Sequence, residues 1–160
     1  MCGIYGTLRL DAKPNRAENL VRTGIACLSH RGPDASGVES RGPACLGHAR
    51  LSIIDLKTGD QPIFNEDKTL AIVLNGEIYN YIELRGLLLE KGHRFTTTSD
   101  TEVVVHLFEE LGEAAFRMLN GFFAFSIYNT RNRELYVVRD RWGIKPLYYY
   151  RNERNLFFAS

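Results

Sequence analysis

The order of strand-like and helical segments is the feature that most constrains the fold of this chain. Period-2 or continuous apolar patterns predict strands near both ends of the chain, at 3–10, 44–49, 69–74, 122–128, 134–139, 147–150 and 156–159. Helical periodicity predicts helices at 16–29, at 80–91 and from 99 onwards. Helices grouped towards the middle, with strands on either side, predict an α+β fold in which sheets are layered with helices.

The helix starts and one hairpin have local signals of their own. Asn80 and Glu83 have the spacing of a capping box, and Ser99 and Glu102 repeat it before a run of apolar residues. The segment 129–132, Asn-Thr-Arg-Asn, is typical of a hairpin connection between two strands. These signals predict that both helices begin with side-chain caps.

Composition narrows the class of protein. A chain of 160 residues with 44% hydrophobic residues and a net charge of +1 is expected to form one globular domain, and it gives no reason to expect nucleic-acid or membrane binding. Three widely spaced cysteines argue against a disulfide framework and favour a reducing cytoplasm. Cys27 is expected to be a small core residue. The cysteines and histidines lack the spacing of zinc ligands, so no metal site is predicted.

Cys2 suggests a particular chemistry. Removal of Met1 would leave a residue that carries both a thiol and a free α-amine. The ordinary pKa of a thiol is about 8.5 and that of an α-amine is about 7.7–8.0, which are close enough for the amine to accept the thiol proton. An N-terminal nucleophile activated by its own amine is a recognised catalytic device. Many chains have a small residue after Met1, however, so Cys2 alone is only a weak indication of catalysis.

Six segments together resemble one family. They are Met-Cys-Gly-Ile at 1–4, His-Arg-Gly-Pro-Asp at 30–34, Gly-His-Ala-Arg-Leu-Ser-Ile-Ile-Asp-Leu at 47–56, Asn-Gly-Glu-Ile-Tyr-Asn at 75–80, Ser-Asp-Thr-Glu at 99–102 and Arg-Asp-Arg-Trp-Gly-Ile-Lys-Pro-Leu-Tyr-Tyr at 139–149. The chain resembles class II glutamine amidotransferases, and within them the glutaminase domain of asparagine synthetases. The resemblance implies an N-terminal-nucleophile hydrolase fold, a four-layer α/β/β/α sandwich with antiparallel sheets, over residues 1–160.

The resemblance also implies an acyl-transfer site for glutamine. Cys2 would be the nucleophile, with an oxyanion hole formed by the Asn75 side chain and the Gly76 backbone N–H. Such a donor is typically worth about 3–4 kcal/mol. Asn-Gly is also a strong signal for a two-residue hairpin turn, which remains the alternative for this pair.

Four further residues are implied to bind the substrate. Arg50 matches an arginine that binds the α-carboxylate, and Asp100 matches the residue that pairs with the α-ammonium. Glu77 and Ile53 are implied to contact the substrate, in part through the main chain. The structural alternatives are a strand-end arginine for Arg50 and an N-terminal helix residue stabilised by the helix dipole for Asp100.

Other charged and aromatic residues of these segments are interpreted as structural first. Arg31 and Asp34 are expected to form a pair that braces the turn around Gly-Pro. For Lys145, Arg141 and Trp142 a structural role under the active site is at least as reasonable as a functional one, and Trp142 could face a partner. The tyrosines at 148–150 are expected to pack rather than form a binding platform.

The implied partner is a second domain. Family members couple glutaminase to a synthetase region that uses ATP and Mg²⁺ and carries a Ser-Gly-Gly-type phosphate loop, whereas no Gly-Gly occurs in these 160 residues. No cofactor is therefore expected in this domain, and the chain is expected to be part of a longer synthetase. Whether it forms a homodimer is left open. An amidotransferase with another acceptor, such as an amino-sugar or purine-precursor enzyme, and a non-catalytic domain of the same fold are the alternatives.

Overall fold

The computed structural model describes residues 1–11 and 17–160. Nine strands, three α-helices and one short 3₁₀ helix occur in this part of the chain, in the order β1 (Gly3–Arg9), α1 (Glu18–Cys27), β2 (Ala35–Arg41), β3 (Ala44–Arg50), β4 (Ile63–Phe64), β5 (Leu70–Ile78), α2 (Tyr81–Glu90), α3 (Asp100–Leu111), the 3₁₀ helix (Gly112–Arg117), β6 (Gly121–Asn129), β7 (Glu134–Arg139), β8 (Tyr148–Arg151) and β9 (Asn155–Ala159). The predicted α+β class is confirmed. The expected start of the first helix at residue 16 lies outside the described residues.

Two antiparallel sheets form the middle of the molecule. The first has the strand order β2-β3-β1-β9-β8, and the second has the order β4-β5-β6-β7. Helix α1 packs on the outer face of the first sheet, whereas α2 and α3 pack on the outer face of the second. The result is the four-layer α/β/β/α sandwich that the resemblance implied.

Side-chain alternation divides the core among the three interfaces between these layers. On β3, Cys45 and Ala49 pack against α1, while Ala44 and Leu46 face the second sheet. On β5 the alternation places Ala71 and Val73 between the sheets, and it sends Ile72 and Leu74 towards the helices. Each central strand is buried on both faces, which explains why its sequence is a nearly continuous apolar run.

The structure corrects several local expectations. The strands β2 and β4 were not expected, because the sequence of β2 (ASGVESR) contains one β-branched residue and β4 has two residues. Cys27, expected in the core, is exposed at the last residue of α1. The tyrosines of β8 are 62–75% exposed and do not pack as expected, because β8 is an edge strand.

The two predicted caps turn out differently. The Ser99 hydroxyl accepts a hydrogen bond from the Thr101 backbone N–H, as a helix cap should. The Glu102 half of that capping box is wrong, because the carboxylate accepts from Thr96 and Thr97 while the Ser99 backbone N–H donates to Thr97. Asn80 occupies the N-cap position of α2, but its side chain bonds instead to the backbone of residues 118 and 120. The capping box predicted at Asn80 is therefore wrong, although the helix itself is confirmed.

The longest helix in the described ranges is α3, with twelve residues. None of the helices in those ranges has the length and apolar character needed to cross a bilayer.

Candidate active site

The thiol of Cys2 lies where the chain enters the first sheet. The pairing of Gly3 with Ala49 places Cys2 opposite Arg50, the last residue of β3, and the Cys2 side chain contacts the next residue, Leu51. The Leu51 backbone N–H donates to Cys2 Sγ at 3.4 Å, and Sγ lies 3.5 Å from the Leu51 carbonyl oxygen. Cys2 is half-buried and lines a cleft, so its sulfur is both positioned and accessible.

Asn75 lies directly behind Cys2. Alternation along β5 turns its side chain towards the first sheet, where it is 1% exposed. The amide orientation that satisfies both ends of the side chain donates from Nδ2 to the Cys2 carbonyl oxygen at 3.0 Å. In that orientation Oδ1 accepts from Arg31 Nη2 at 3.2 Å and from the Ser160 hydroxyl at 2.8 Å. Asn75 thus positions the Cys2 main chain and does not itself line the cleft.

Gly76 is an interior residue of β5, where it pairs with Phe123 of β6. The hairpin-turn alternative for Asn75-Gly76 is therefore wrong. A Cβ atom at this position would lie 2.1 Å from the Phe122 carbonyl oxygen and 2.6 Å from Phe123 Cα. The neighbouring β6 backbone therefore leaves no room for a side chain. Gly76 also lines the wall of the cleft.

Arg50 provides the cation of the cleft. It is the last residue of β3 and is 5% exposed. Its Nη1 donates to Asp60 Oδ1 at 2.6 Å, and Nη2 donates to the carbonyl oxygens of Ile54 (3.3 Å) and Asp55. The loop after β3 therefore holds the guanidinium in one place, which suits recognition of a carboxylate.

Asp100 provides a buried carboxylate at the first residue of α3. It is 5% exposed, and Oδ2 accepts from the Ile78 backbone N–H at 2.9 Å. Burial raises the pKa of Asp100 above its ordinary value, although hydrogen bonds from the Ile78 and Thr101 backbones act in the opposite direction. A cation placed beside such a buried carboxylate would stabilise its ionised form.

The cleft brings the candidate residues together. It has a volume of about 380 Å³ including its open mouth. Its lining contains six of the seven predicted site residues, Cys2, Arg50, Ile53, Gly76, Glu77 and Asp100. Glu77 is half-buried, and Ile53 is 58% exposed at the mouth. A thiol, a fixed cation and two carboxylates in one cleft can bind a zwitterion beside a nucleophile.

Arg31 has a different role from the one expected. In the described part of the chain Arg31 contacts Asn75, while Asp34 accepts from the Ser52 backbone N–H at 2.7 Å, so the predicted Arg31–Asp34 pair is not formed. A Cβ atom at Gly32 would lie 2.3 Å from the Ala49 carbonyl carbon. This close approach of the loop to β3 brings Arg31 towards Asn75 and Cys2.

Lys145 is a second cation near Cys2 that the sequence left undecided. Its side chain is buried, with Nζ 4.4 Å from the centre of the Phe122 ring and 3.1 Å from Met1 Sδ. Burial lowers the pKa of Lys145, and the nearby Arg31 charge lowers it further, whereas Cys2 acts in the opposite direction. The Asp140 carboxylate holds the turn before Lys145 by accepting from its backbone N–H at 3.0 Å.

Gln61 and Thr101 also line the cleft but have no recognisable sequence signal. Gln61 Oε1 accepts from the Leu74 backbone N–H at 2.6 Å, and its Nε2 donates to Thr101 Oγ1 at 3.2 Å. These bonds connect the loop after β3 to β5 and α3. No local pattern could have identified them, because the partners are 13 and 40 residues apart.

Comparison with known proteins agrees with this geometry. The sequence profile of the glutamine amidotransferase domain family matches residues 1–160. An asparagine synthetase [glutamine-hydrolyzing] of Sandersonia aurantiaca is 47% identical over 152 residues, covering 92% of this chain and 28% of the relative. Asparagine synthetase [glutamine-hydrolyzing] 1 of Bacillus subtilis (strain 168) is 44% identical over 162 residues, covering 100% of this chain and 26% of the relative. The chain thus spans about a quarter of the length of these relatives.

The structural comparison gives the same fold. Glutamine phosphoribosylpyrophosphate amidotransferase from B. subtilis, complexed with ADP and GMP, superposes with a TM-score of 0.79 at 25% identity. The match covers 99% of this chain and 41% of that one. A structure described as the allosteric regulatory enzyme of purine biosynthesis superposes with a TM-score of 0.80, also at 25% identity.

Proposed function

Because the chain belongs to the glutamine amidotransferase domain family, we propose that it hydrolyses the side-chain amide of glutamine to glutamate and ammonia, with Cys2 as the nucleophile. The observation that carries the proposal is the cleft in which Cys2, Arg50 and Asp100 come together. Arg50 would bind the α-carboxylate, and Asp100 would bind the α-ammonium with help from Glu77. A free amino acid carries both of these charges, whereas an amide within a peptide chain carries neither.

The proposed reaction begins with removal of Met1, which leaves the α-amine on Cys2. The amine accepts the thiol proton, and the thiolate attacks the side-chain carbonyl carbon of glutamine. The Gly76 N–H would stabilise the oxyanion, and the Asn75 amide nitrogen, which donates to the Cys2 carbonyl oxygen, would hold the nucleophile in place. The protonated amine then gives its proton to the leaving nitrogen, ammonia departs, and water attacks the resulting thioester to release glutamate and restore the thiol.

Two cations support this chemistry. Lys145 is buried near the start of the chain, where its Nζ lies 3.1 Å from Met1 Sδ and interacts electrostatically with Cys2. Arg31 holds the oxygen of the Asn75 amide, so the amide nitrogen stays directed towards Cys2. Both residues are therefore proposed to act through their neighbours, without direct contact with glutamine.

The proposed use of the ammonia comes from the relatives. Curated relatives more than 40% identical to this chain are named asparagine synthetases. We propose that the domain supplies ammonia to a covalently linked synthetase region, that aspartate is the acceptor, and that ATP and Mg²⁺ bind in that region and not in this domain. Three free cysteines support a cytoplasmic location. An acceptor from purine biosynthesis is the second candidate, supported by the structural neighbours.

The first experiment measures glutamate release from glutamine by the purified chain, with its N-terminal mass recorded. Cys2→Ala tests the nucleophile, and Cys27→Ala is the matched control because that thiol is exposed on α1, away from the cleft. We expect activity only in protein that has lost Met1 and keeps Cys2, with Cys27→Ala fully active. A folded chain with Cys2 as its N-terminal residue that releases no glutamate would overturn the proposal for this chain.

A further inference from the structure

A group of two histidines and two glutamates lies outside the cleft. Glu66 comes from the turn between β4 and β5, His93 from the loop between α2 and α3, and His106 and Glu109 from α3. One potential ligand atom from each of the four lies within 4.8 Å of the others. The side chains of His106 and His93 are 1% and 9% exposed, so the imidazoles are well buried for polar groups.

In each of the two carboxylates, one oxygen accepts a hydrogen bond and the other lies near His106. Glu66 Oε1 accepts from the Arg94 backbone N–H at 2.9 Å, and Glu109 Oε1 accepts from Asn65 Nδ2 at 3.0 Å. The remaining oxygens, both Oε2, lie 3.2 Å (Glu66) and 3.7 Å (Glu109) from His106 Nδ1. Two oriented oxygens therefore face the same imidazole nitrogen.

Both nitrogens of each imidazole lie near carboxylates. His93 Nδ1 lies 3.8 Å from Glu109 Oε2, the oxygen that also faces His106 Nδ1, and 3.3 Å from Glu66 Oε1, the oxygen that accepts from Arg94. The opposite nitrogens face carboxylates. His93 Nε2 lies 3.2 Å from Glu110, whereas His106 Nε2 lies 3.6 Å from Glu102 and makes no hydrogen bond with the described residues. Metal-binding histidines commonly have this carboxylate on the far nitrogen.

The second, independent observation concerns His106 Nδ1. This buried atom makes no hydrogen bond with any of the described residues, although the Glu66 and Glu109 oxygens lie close to it. A buried polar group without a partner of good geometry destabilises the folded state, because the group has lost its hydrogen bonds with water. A cation between the Nδ1 atoms and the carboxylates would satisfy all of these atoms at once.

We propose that Glu66, His93, His106 and Glu109 bind a divalent first-row transition ion of the Zn²⁺ class. Two imidazole nitrogens with two carboxylate oxygens suit Zn²⁺ better than Mg²⁺ or Ca²⁺, which prefer oxygen ligands alone. Tetrahedral Zn²⁺ holds such ligands at about 2.0–2.1 Å, which requires the side chains to move together by about 1 Å. A surface cleft lined by residues that include Glu66, His93 and Glu109 provides the route of entry.

This proposal departs from the expectation of no metal site. That expectation considered the spacing of cysteines and histidines along the sequence, whereas the group is assembled from segments up to 43 residues apart in the chain, Glu66 and Glu109 being the extremes. The proposal does not depend on glutamine hydrolysis, because none of the four residues lines the cleft that contains Cys2.

The test is titration of the EDTA-treated 160-residue chain with Zn²⁺ and with Co²⁺, whose visible absorption reports the coordination geometry. The measurements use a Cys2→Ala, Cys27→Ala background, so that accessible thiols do not compete. His93→Gln and Glu109→Gln are the test variants. His30→Gln is the matched control, because His30 is exposed and its Nδ1 lies 3.1 Å from the backbone carbonyl oxygen of Cys27 at the end of α1.

We expect one Co²⁺ per chain with a four-coordinate spectrum, and a rise in Tm with Zn²⁺, in the background protein and in His30→Gln. Each test variant should lose about 10- to 100-fold in affinity. Circular dichroism without metal verifies that the variants are folded, and Glu109→Gln keeps its oxygen for Asn65 if His93→Gln does not fold. Binding that is equal in all variants, or absent at micromolar metal in folded protein, would overturn the proposal.

Discussion

Asp100→Asn separates the proposed binding role of Asp100 from its role in the fold. The substitution removes the negative charge and leaves the shape of the side chain almost unchanged. An Asn oxygen can still accept from the Ile78 backbone N–H, which donates to Asp100 at 2.9 Å in the structure. An Asn nitrogen can donate to the Ser99 hydroxyl, which lies 3.4 Å from the other carboxylate oxygen. The hydrogen bonds with Ile78 and Ser99 can therefore survive.

The size of the effect on binding follows from the lost charge. A hydrogen bond to a charged group contributes about 1.5–3 kcal/mol, and each 1.4 kcal/mol is a factor of ten, so KM for glutamine should rise about 10- to 150-fold. The free energy of unfolding, by contrast, should not decrease. Burial raises the folded pKa of Asp100 above the unfolded value, so its ionisation destabilises the folded state as the pH rises through the folded pKa. At neutral pH, Asp100→Asn should leave stability unchanged or slightly higher.

The assay is glutamate release over a range of glutamine concentrations, together with the free energy of unfolding in urea. Asp140→Asn is the matched stability control, because Asp140 is also 5% exposed but has a lowered pKa. A second substrate, the glutamine analogue that lacks the α-amino group, isolates the ammonium contact. Wild type should discriminate against this analogue, and Asp100→Asn should discriminate much less. A KM for glutamine that stays at the wild-type value would refute the assignment of Asp100 to the ammonium.

Two further predictions concern the backbone around the site. In urea unfolding, Gly76→Ala should destabilise the fold by at least about 3 kcal/mol, because the new Cβ would lie 2.1 Å from the Phe122 carbonyl oxygen. Gly86→Ala is the control in the same measurement: it lies in open space on α2 and should stabilise the fold by up to about 1 kcal/mol. Burial alone would raise the pKa of Asp140, but backbone N–H donors including those of Lys145 and Ile144 lower it, so its contribution to stability should be present above about pH 4 and be lost as the pH falls further. Urea unfolding of Asp140→Asn should then show a weaker acid dependence than wild type, and identical pH profiles would contradict this.

The fold class and most strands could be predicted because their signals are local. The run Leu-Ala-Ile-Val-Leu at 70–74 is buried on both faces, so its pattern is strong, and β7 has the predicted bounds of 134–139. The strand β2 had no such signal. It lies at the edge of the first sheet and is half-buried, and its pairing with β3 overrides a weak intrinsic preference.

The candidate site also contains some residues that could be predicted from the sequence and others that could not. Cys2, Arg50 and Asp100 could be identified because they belong to segments that resemble a known family in the right order. The partners that hold them could not, because those contacts are made in three dimensions. Asp60 fixes the Arg50 guanidinium, and Arg31 reaches Asn75 instead of the nearby Asp34. The sequence shows that these charged residues exist, but only the packing of the loops decides which groups they meet.

The register of β5 is the constraint that the fold and the site share. Because side chains alternate along a strand, a slip of one residue would turn Asn75 away from Cys2 and bring Leu74 into its place. The same slip would bring a residue with a side chain against Phe122 and Phe123, where only glycine fits. The close approach of β6 at Gly76 therefore favours the one register that presents the Asn75 amide to the Cys2 main chain. Packing between two core strands thus positions an amide whose partner, Cys2, lies at the start of the other sheet.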